Sequence, residues 1–443
     1  MGESVWTVGA LLPQFPELVS DIQTKNLIIG GGLCGLLCAY FLDRAGEDYL
    51  LVEGGRICGG TTQNTTAKIT AQHGLIYDRL LRMFGRQRAA QYLRANQRAL
   101  EDYRTLAKEI ECGFEPADAF AYSRDPELLR RESTALAEIG FEAPVVSDVP
   151  LPVAAAGAVK FRNQAQFHPL QFAAGIAQNL RIFENSFVHF AEPGAAFVNG
   201  HKISAENIVV ATHFPFINTH GLYFMKLYQQ RSYVLGLEDA PLPDGMYIDG
   251  DGSGYSFRRF GGLLLLGGGG HRTGKNGGGY GALRKFVREH YPNAKERFAF
   301  AAQDCMSLDG VPYIGRYGRF AKGIYVASGF NKWGMTSSMA AARLLCDLLC
   351  GRENEFSGLF DPARSIFRRQ LWLNVAETAG HLLLPVPRRC THLGCALKWN
   401  RAEHSWDCPC HGSRFDAGGR VLENPAMKNH AKFQPSNAPD AEK

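Results

Sequence analysis

The chain has 443 residues, 45% of them hydrophobic and 21% charged, a composition that excludes disorder and supplies apolar surface for more than one core. Its formal net charge of +5 is spread without a long lysine or arginine block, which argues against a nucleic-acid partner. No apolar run reaches the ~18 residues of a membrane-spanning helix, and residues 1–20 lack the basic start, apolar centre and cleavage site of an export signal, so the expectation is a cytoplasmic protein with no membrane span.

Residues 26–53, NLIIGGGLCGLLCAYFLDRAGEDYLLVE, read as strand, glycine turn, helix, second strand and acidic residue. The apolar run 26–29 suits a buried parallel strand. Gly30, Gly32 and Gly35 follow as G-x-G-x-x-G, and residues 36–44 continue as a helix. The first glycine permits a tight turn, the second lets backbone approach a pyrophosphate, and the third lets helix and strand pack closely. The diphosphate then rests on the helix amino terminus, where free amides and the dipole favour negative charge. Glu53 stands 23 residues after Gly30, near the spacing of about 20 at which a carboxylate binds an adenosine ribose. A dinucleotide is expected, and the motif alone is compatible with both FAD and NAD.

The following segment, GGRICGGTTQNTTAKITAQHGLIY (54–77), resembles the D-amino-acid oxidase/glycerol-3-phosphate dehydrogenase superfamily of FAD-dependent oxidoreductases. In that superfamily a glycine- and hydroxyl-rich loop lies along the flavin phosphates. The resemblance continues through QFHPLQFAAGIA (166–177), ENIVVATHFPF (206–216), DGVPYIGRY (309–317) and GIYVASGFNKWGMTSSMAAARLLCDLL (323–349), and covers most of residues 20–360. It implies FAD as the cofactor and carries Thr61 and Thr62 over as contacts of the phosphate loop. Residues 77–112 show apolar positions at helical spacing, expected to pack on the flavin lobe with a solvated arginine face.

The middle of the chain is, by the same resemblance, a mixed-sheet substrate lobe. Arg231, Tyr233, Arg258 and His271 are its candidates for holding an anionic or polar substrate group, because a guanidinium fork suits a carboxylate. GGHRTGKN (269–276) approaches the phosphate loop of ATPases, but Asn276 replaces the hydroxyl residue that binds magnesium. ATPase chemistry is therefore excluded, and the stretch is expected to be a loop near flavin or substrate. A strand over 324–327 should run into Gly329, with a helix resuming at Met335. Gly329, Trp333, Gly334 and Met335 would then set amides beside a flavin carbonyl. No general base is assigned: hydride transfer to a flavin can rest on positioning and desolvation.

Seven of the eleven cysteines, Cys34, Cys38, Cys58, Cys112, Cys305, Cys346 and Cys350, are scattered and read as small buried hydrophobes. The other four fall within CTHLGCALKWNRAEHSWDCPCHGS (390–413). Cys390 with His392 forms C-x-H, and Cys408 with His411 forms C-x-x-H. Two thiolates and two imidazoles fit a Rieske [2Fe-2S] cluster; zinc accepts the same donors but ordinarily in a different order. The segment resembles Rieske proteins of the cytochrome bc type, which implies a disulfide between Cys395 and Cys410. Ser413 matches a residue whose hydroxyl bonds a bridging sulfide in high-potential members, whereas Phe415 stands where those members carry tyrosine. With one donor fewer to the cluster sulfurs, the expected potential is below the respiratory type.

Only 18 residues separate Leu371 from Cys390, too few for the usual base of strands. The expected organisation is an α/β flavoprotein over 1–371, with an FAD-binding Rossmann-like lobe and an interleaved substrate lobe. A small all-β, abbreviated Rieske domain over 372–443 leans on it and ends in a frayed tail over 435–443. The parts imply an FAD-dependent oxidoreductase. A small amine, amino acid or hydroxy compound would reduce FAD, and the cluster would pass electrons to an external acceptor. The alternatives are reversed flow in a reductase, or a redox sensor or electron-transfer module without a small substrate.

Overall fold

The computed structural model describes residues 3–252 and 254–430; the expected tail over 435–443 lies outside them. The strand Ile22–Ile29 is buried along its second half, as a strand covered on both faces must be. It pairs in parallel with Tyr49–Val52 on one side and His201–Val210 on the other, so that Ile29 stands opposite both Val52 and Val210. Ile324–Ser328 extends the parallel set beyond His201–Val210. The chain leaves Ile29 between two neighbouring strands, at the carboxyl edge where open α/β sheets place their ligands.

Two glycines make that exit possible. Gly30 has φ +111°, and a Cβ there would stand 2.7 Å from the Ala211 carbonyl oxygen. A Cβ on Gly35 would stand 1.9 Å from the Gly30 carbonyl oxygen, so the helix Leu33–Arg44 can pack on its strand only without a side chain there. The Gly334–Leu349 helix packs beside it through small buried residues, among them Ala341 and Ala342. Tyr77–Leu106 forms one long helix over this layer, interrupted at Gly85 with φ +78°.

A second, nine-stranded sheet forms the other lobe. Three of its long strands, Leu227–Glu238, Leu263–Arg272 and Lys295–Ser307, pair antiparallel. The glycine run after Leu266 does not start a loop as expected. Gly267–Arg272 stay in the sheet, because Gln230 and Arg231 pair with Arg272 and His271.

The carboxyl-terminal module is a four-stranded sheet in the order Lys398–Asn400, Ser405–Asp407, Arg414–Phe415, Val421–Glu423. In place of a base of strands, the stretch before Cys390 supplies a helix, Arg369–Leu383, which runs through the expected boundary at 371/372. The six early cysteines Cys34 to Cys346 are buried, as expected of small hydrophobes, and Cys350 is half-buried.

Candidate functional site

The exit from Ile29 opens into a cavity of about 1160 Å³ bounded by all three sheets. Gly30, Gly32, Glu53, Thr61 and Thr62 line one end; Gly329, Trp333, Gly334 and Met335 line its wall. Gly35 lies behind this surface and acts through packing. A Cβ on Gly32 would meet only the Thr62 hydroxyl, at 3.5 Å, so backbone here is open to a close ligand. Thr62 Oγ1 also accepts from the Leu33 amide at 3.1 Å, fixing the Thr61–Asn64 turn to the helix start. Glu53 accepts from the Gly31 and Gly55 amides at 2.7 and 2.8 Å. Burial raises its carboxyl above the ordinary range despite those bonds. The open glycine turn, the helix amino terminus and the half-buried acid fit a dinucleotide.

Two residues that the sequence reading did not select share the cavity. Lys68 is buried there, and burial, aided by the Arg258 cation, lowers its pKa to about 7. Lys332 sits at φ +73° on the turn before the Gly334–Leu349 helix, exposed to the cavity and without an ion pair among the described residues. A Cβ built on Gly270 would lie 3.7 Å from Lys332 Nζ and 3.8 Å from Ser232 Oγ. Ser232 donates to Asp304 Oδ2 at 3.1 Å. A cation, a hydroxyl and a carboxylate therefore converge on one patch of the substrate sheet.

The expected substrate contacts divide. Tyr233 and His271 line the cavity, joined by a 2.9 Å bond between Tyr233 Oη and His271 Nε2. The structure corrects the placement of Arg231 and Arg258, neither of which reaches it. Arg258 spends its guanidinium on the carbonyls of Thr66, Ala67 and Phe167. Arg231 is fully buried and binds both carboxylate oxygens of Glu403, and Glu423 at 2.9 Å. Arg414 reaches the same two acids at 3.1 and 2.9 Å. This is a latch between sheet and module, with charges paired as a dry interior requires.

Two matching loops form the module's tip. In each, a glycine amide closes a turn onto the carbonyl of the first cysteine at 2.9 Å, Gly394 to Cys390 and Gly412 to Cys408. The loops bring the His392 and His411 rings to 5.0 Å at 89°. Both Nδ1 atoms are buried without a hydrogen-bond partner among the described residues, an arrangement costly in a dry interior and suited to metal ligation. Hydrogen bonds from the Cys390, Cys395 and Cys410 thiols hold Cys408 well below the ordinary thiol range, toward the thiolate a metal needs. These donors fit a [2Fe-2S] cluster on Cys390, Cys408, His392 and His411. Cys395 and Cys410 have their sulfurs within 4.8 Å of each other and of Cys408 Sγ. Both are free thiols, so the expected disulfide is not formed in this structure.

The tip faces the flavin lobe. Phe214 lies 6.4 Å from the His392 ring and 6.5 Å from His411, and its neighbour His213 lines the cavity. Asn424 donates to the carbonyls of Thr212 and Phe214, while Gln229 and Gln303 hold the carbonyls of His411 and Gly412. The former phosphate-loop lookalike is a docking strap: Arg272 donates to the carbonyls of Pro409 and Cys410, and a Cβ on Gly274 would clash with Pro409 at 2.7 Å.

Profiles of two families match the chain: FAD dependent oxidoreductase (DAO) over residues 25–348, and Rieske [2Fe-2S] domain over 362–434. The chain belongs to the DAO family of FAD-dependent oxidoreductases and carries a Rieske [2Fe-2S] domain. A Rieske 2Fe-2S iron-sulfur protein of Bacillus subtilis, YhfW, is 33% identical over 96% of both chains. The cytochrome b6-f complex iron-sulfur subunit 1 of Nostoc sp. is 55% identical over 49 residues, 10% of this chain and 27% of its own. Glycine oxidase from Geobacillus kaustophilus shares the fold with a TM-score of 0.64 at 19% identity, covering 78% of this chain and all of the other. L-proline dehydrogenase from P. horikoshii gives 0.65 at 18% identity, covering 79% and 98%. Fold class, FAD and the iron-sulfur cluster thus agree with the sequence reading, and the protein is an FAD-dependent oxidoreductase with electron-transfer capacity. No helix among the described residues is long and apolar enough to cross a membrane.

Proposed function

We propose that the protein is a dehydrogenase of a small amine, amino acid or hydroxy compound that hands its electrons to an external acceptor through the Rieske domain. The observation that carries this reading is the shared cavity. Its lining passes from the phosphate-loop end, by Lys332 and Asp304, to Glu423 and Asn424 of the cluster module. When bound, FAD accepts a hydride from a carbon beside nitrogen or oxygen, and a [2Fe-2S] cluster carries electrons singly.

The chain's own residues do the rest. Lys332 can take a substrate carboxylate, and Asp304 with Ser232 can take its amine or hydroxyl. Lys68, with its pKa of about 7, can exchange the proton a protonated amine must lose before oxidation. The latch and the strap keep the cluster loops against Phe214, so that neither centre has to diffuse.

Anaerobic titration with a panel of amines, amino acids and hydroxy acids tests the reading. One class should bleach the oxidised flavin, and a Rieske-type paramagnetic signal should then grow in the same sample. If no compound bleaches a flavin that dithionite reduces, the substrate-dehydrogenase reading fails in favour of the reductase or the sensor.

A further inference from the structure

The Arg369–Leu383 helix is inside out. A surface helix ordinarily buries its apolar stripe and shows water its polar face. Here, beyond the buried Leu371 of the first turn, the buried residues are Asn374 and His381, and Glu377 is turned onto Lys275 and His381. Every exposed position from 372 to 383 is apolar or glycine. Trp372, Leu373 and Leu383 leave 62%, 50% and 84% of their surface uncovered, and Leu384 continues the strip.

The orientation is fixed by partners. Asn374 accepts from Arg272 at 3.0 Å, the His381 carbonyl accepts from the Ala396 amide at 3.0 Å, and the Glu377 carbonyl lies 4.0 Å from Cys410 Sγ. Turning the helix over would strip all three. An apolar face held outward in this way marks an interaction surface.

Charge decides the occupant. Residues 366–389 hold four arginines, Arg368, Arg369, Arg388 and Arg389, and a single carboxylate, the inward Glu377. Arg368 stacks 5.4 Å from the Phe84 ring, which brings the exposed Arg86 and Arg88 to the same end of the strip. A second copy packed strip against strip around a twofold axis would set these arginines near their own kind, with only the inward Glu377 among residues 366–389 to answer them. An anionic lipid surface answers both features, since acyl chains receive the apolar strip and phosphates the arginines. At about 1.5 Å per residue, 15 residues span roughly 22 Å, short of the ~30 Å needed to cross a bilayer.

We propose that this helix is an in-plane anchor that docks the protein on an anionic membrane. The cysteine loop lies on its inner side, so docking holds the cluster about one helix diameter, ~10 Å, from the lipid, whichever way electrons run.

Flotation of the full-length holoprotein with phosphatidylcholine vesicles, with and without about 30% phosphatidylglycerol, tests this. Wild type should float with the anionic vesicles and be released by added salt. Trp372→Glu/Leu383→Glu should lose affinity at least about tenfold, while Leu242→Glu, the same change at an exposed leucine of the substrate lobe, should bind as wild type. Wild type that ignores anionic vesicles, floats equally with neutral ones, or matches the double variant would overturn the proposal. So would a dimer in light scattering that the double variant disperses, which would assign the face to a second copy.

Discussion

Replacing Arg231 by methionine removes the cation at the centre of the latch while keeping an unbranched chain of similar reach. Arg231 and Glu403 are fully or almost fully buried, and Glu423 is 27% exposed. Breaking a buried pair from one side costs ~3–5 kcal/mol, because the surviving charge stays desolvated. Two features place this case at about 3 kcal/mol: Arg414 still reaches both acids, and solvent screens part of the Glu423 interaction. The loss falls on the contact between module and sheet. Urea titration followed by the cluster's visible circular dichroism and by flavin fluorescence separates it from the rest of the fold. With slopes of about 1–3 kcal/mol per molar, the cluster midpoint should fall by roughly 1 M or more, and Arg231→Lys should lie between the two. An Arg231→Met midpoint equal to wild type by the cluster probe would refute the latch.

Four further outcomes concern Glu403, His73, Lys332 and Phe415. Burial pushes the Glu403 carboxyl up, but Arg231 and Arg414 outweigh it and hold it below the ordinary range; its contribution is therefore complete above about pH 4.3 and lost as pH falls below. His73 is buried, with its ring stacked 4.6 Å from Trp333 and Nδ1 bonded to Tyr92 Oη at 2.6 Å; burial lowers it to about 3, so it takes up a proton only on unfolding and stability declines as pH drops below about 6.5. A pH series of urea midpoints should show both limbs, with the upper one flattened in His73→Gln. Lys332→Met should raise KM at least about tenfold for carboxylate-bearing substrates, the scale of one charge-assisted bond, and leave KM for neutral amines unchanged. Phe415→Tyr should raise the cluster potential by adding a donor in the buried cluster core; voltammetry showing an equal or lower potential would count against that role.

What was legible in the sequence was chemistry imposed by local backbone. Gly30 and Gly35 announce themselves because no other residue fits their contacts, and Glu53 because it ends the neighbouring strand at the spacing expected of a ribose-binding acid. The cluster loops were legible because ligation requires cysteine and histidine at short intervals. Arg231 was misread because the acids that bury it lie 172 and 192 residues away. A guanidinium on a sheet looks identical in sequence whether it awaits a substrate or a domain. GGHRTGKN was read as a loop near flavin or substrate; Gly270 and His271 do line the cavity, but the strand runs on to Arg272, and the contact of Gly274 with Pro409 was not legible because that partner belongs to another module. Lys68 and Lys332 lie inside segments 54–77 and 323–349, but nothing in those segments marks either lysine; only their positions on the cavity wall single them out.

Rapid anaerobic mixing of the holoprotein with whichever compound bleaches it, following flavin absorbance and freeze-quenched cluster spectra on one time base, tests the central claim. Flavin bleaching should lead and cluster reduction follow, with no stoichiometric peroxide when oxygen is admitted. A cluster that reduces before the flavin, or a flavin that reoxidises rapidly to peroxide with the cluster left oxidised, would contradict it.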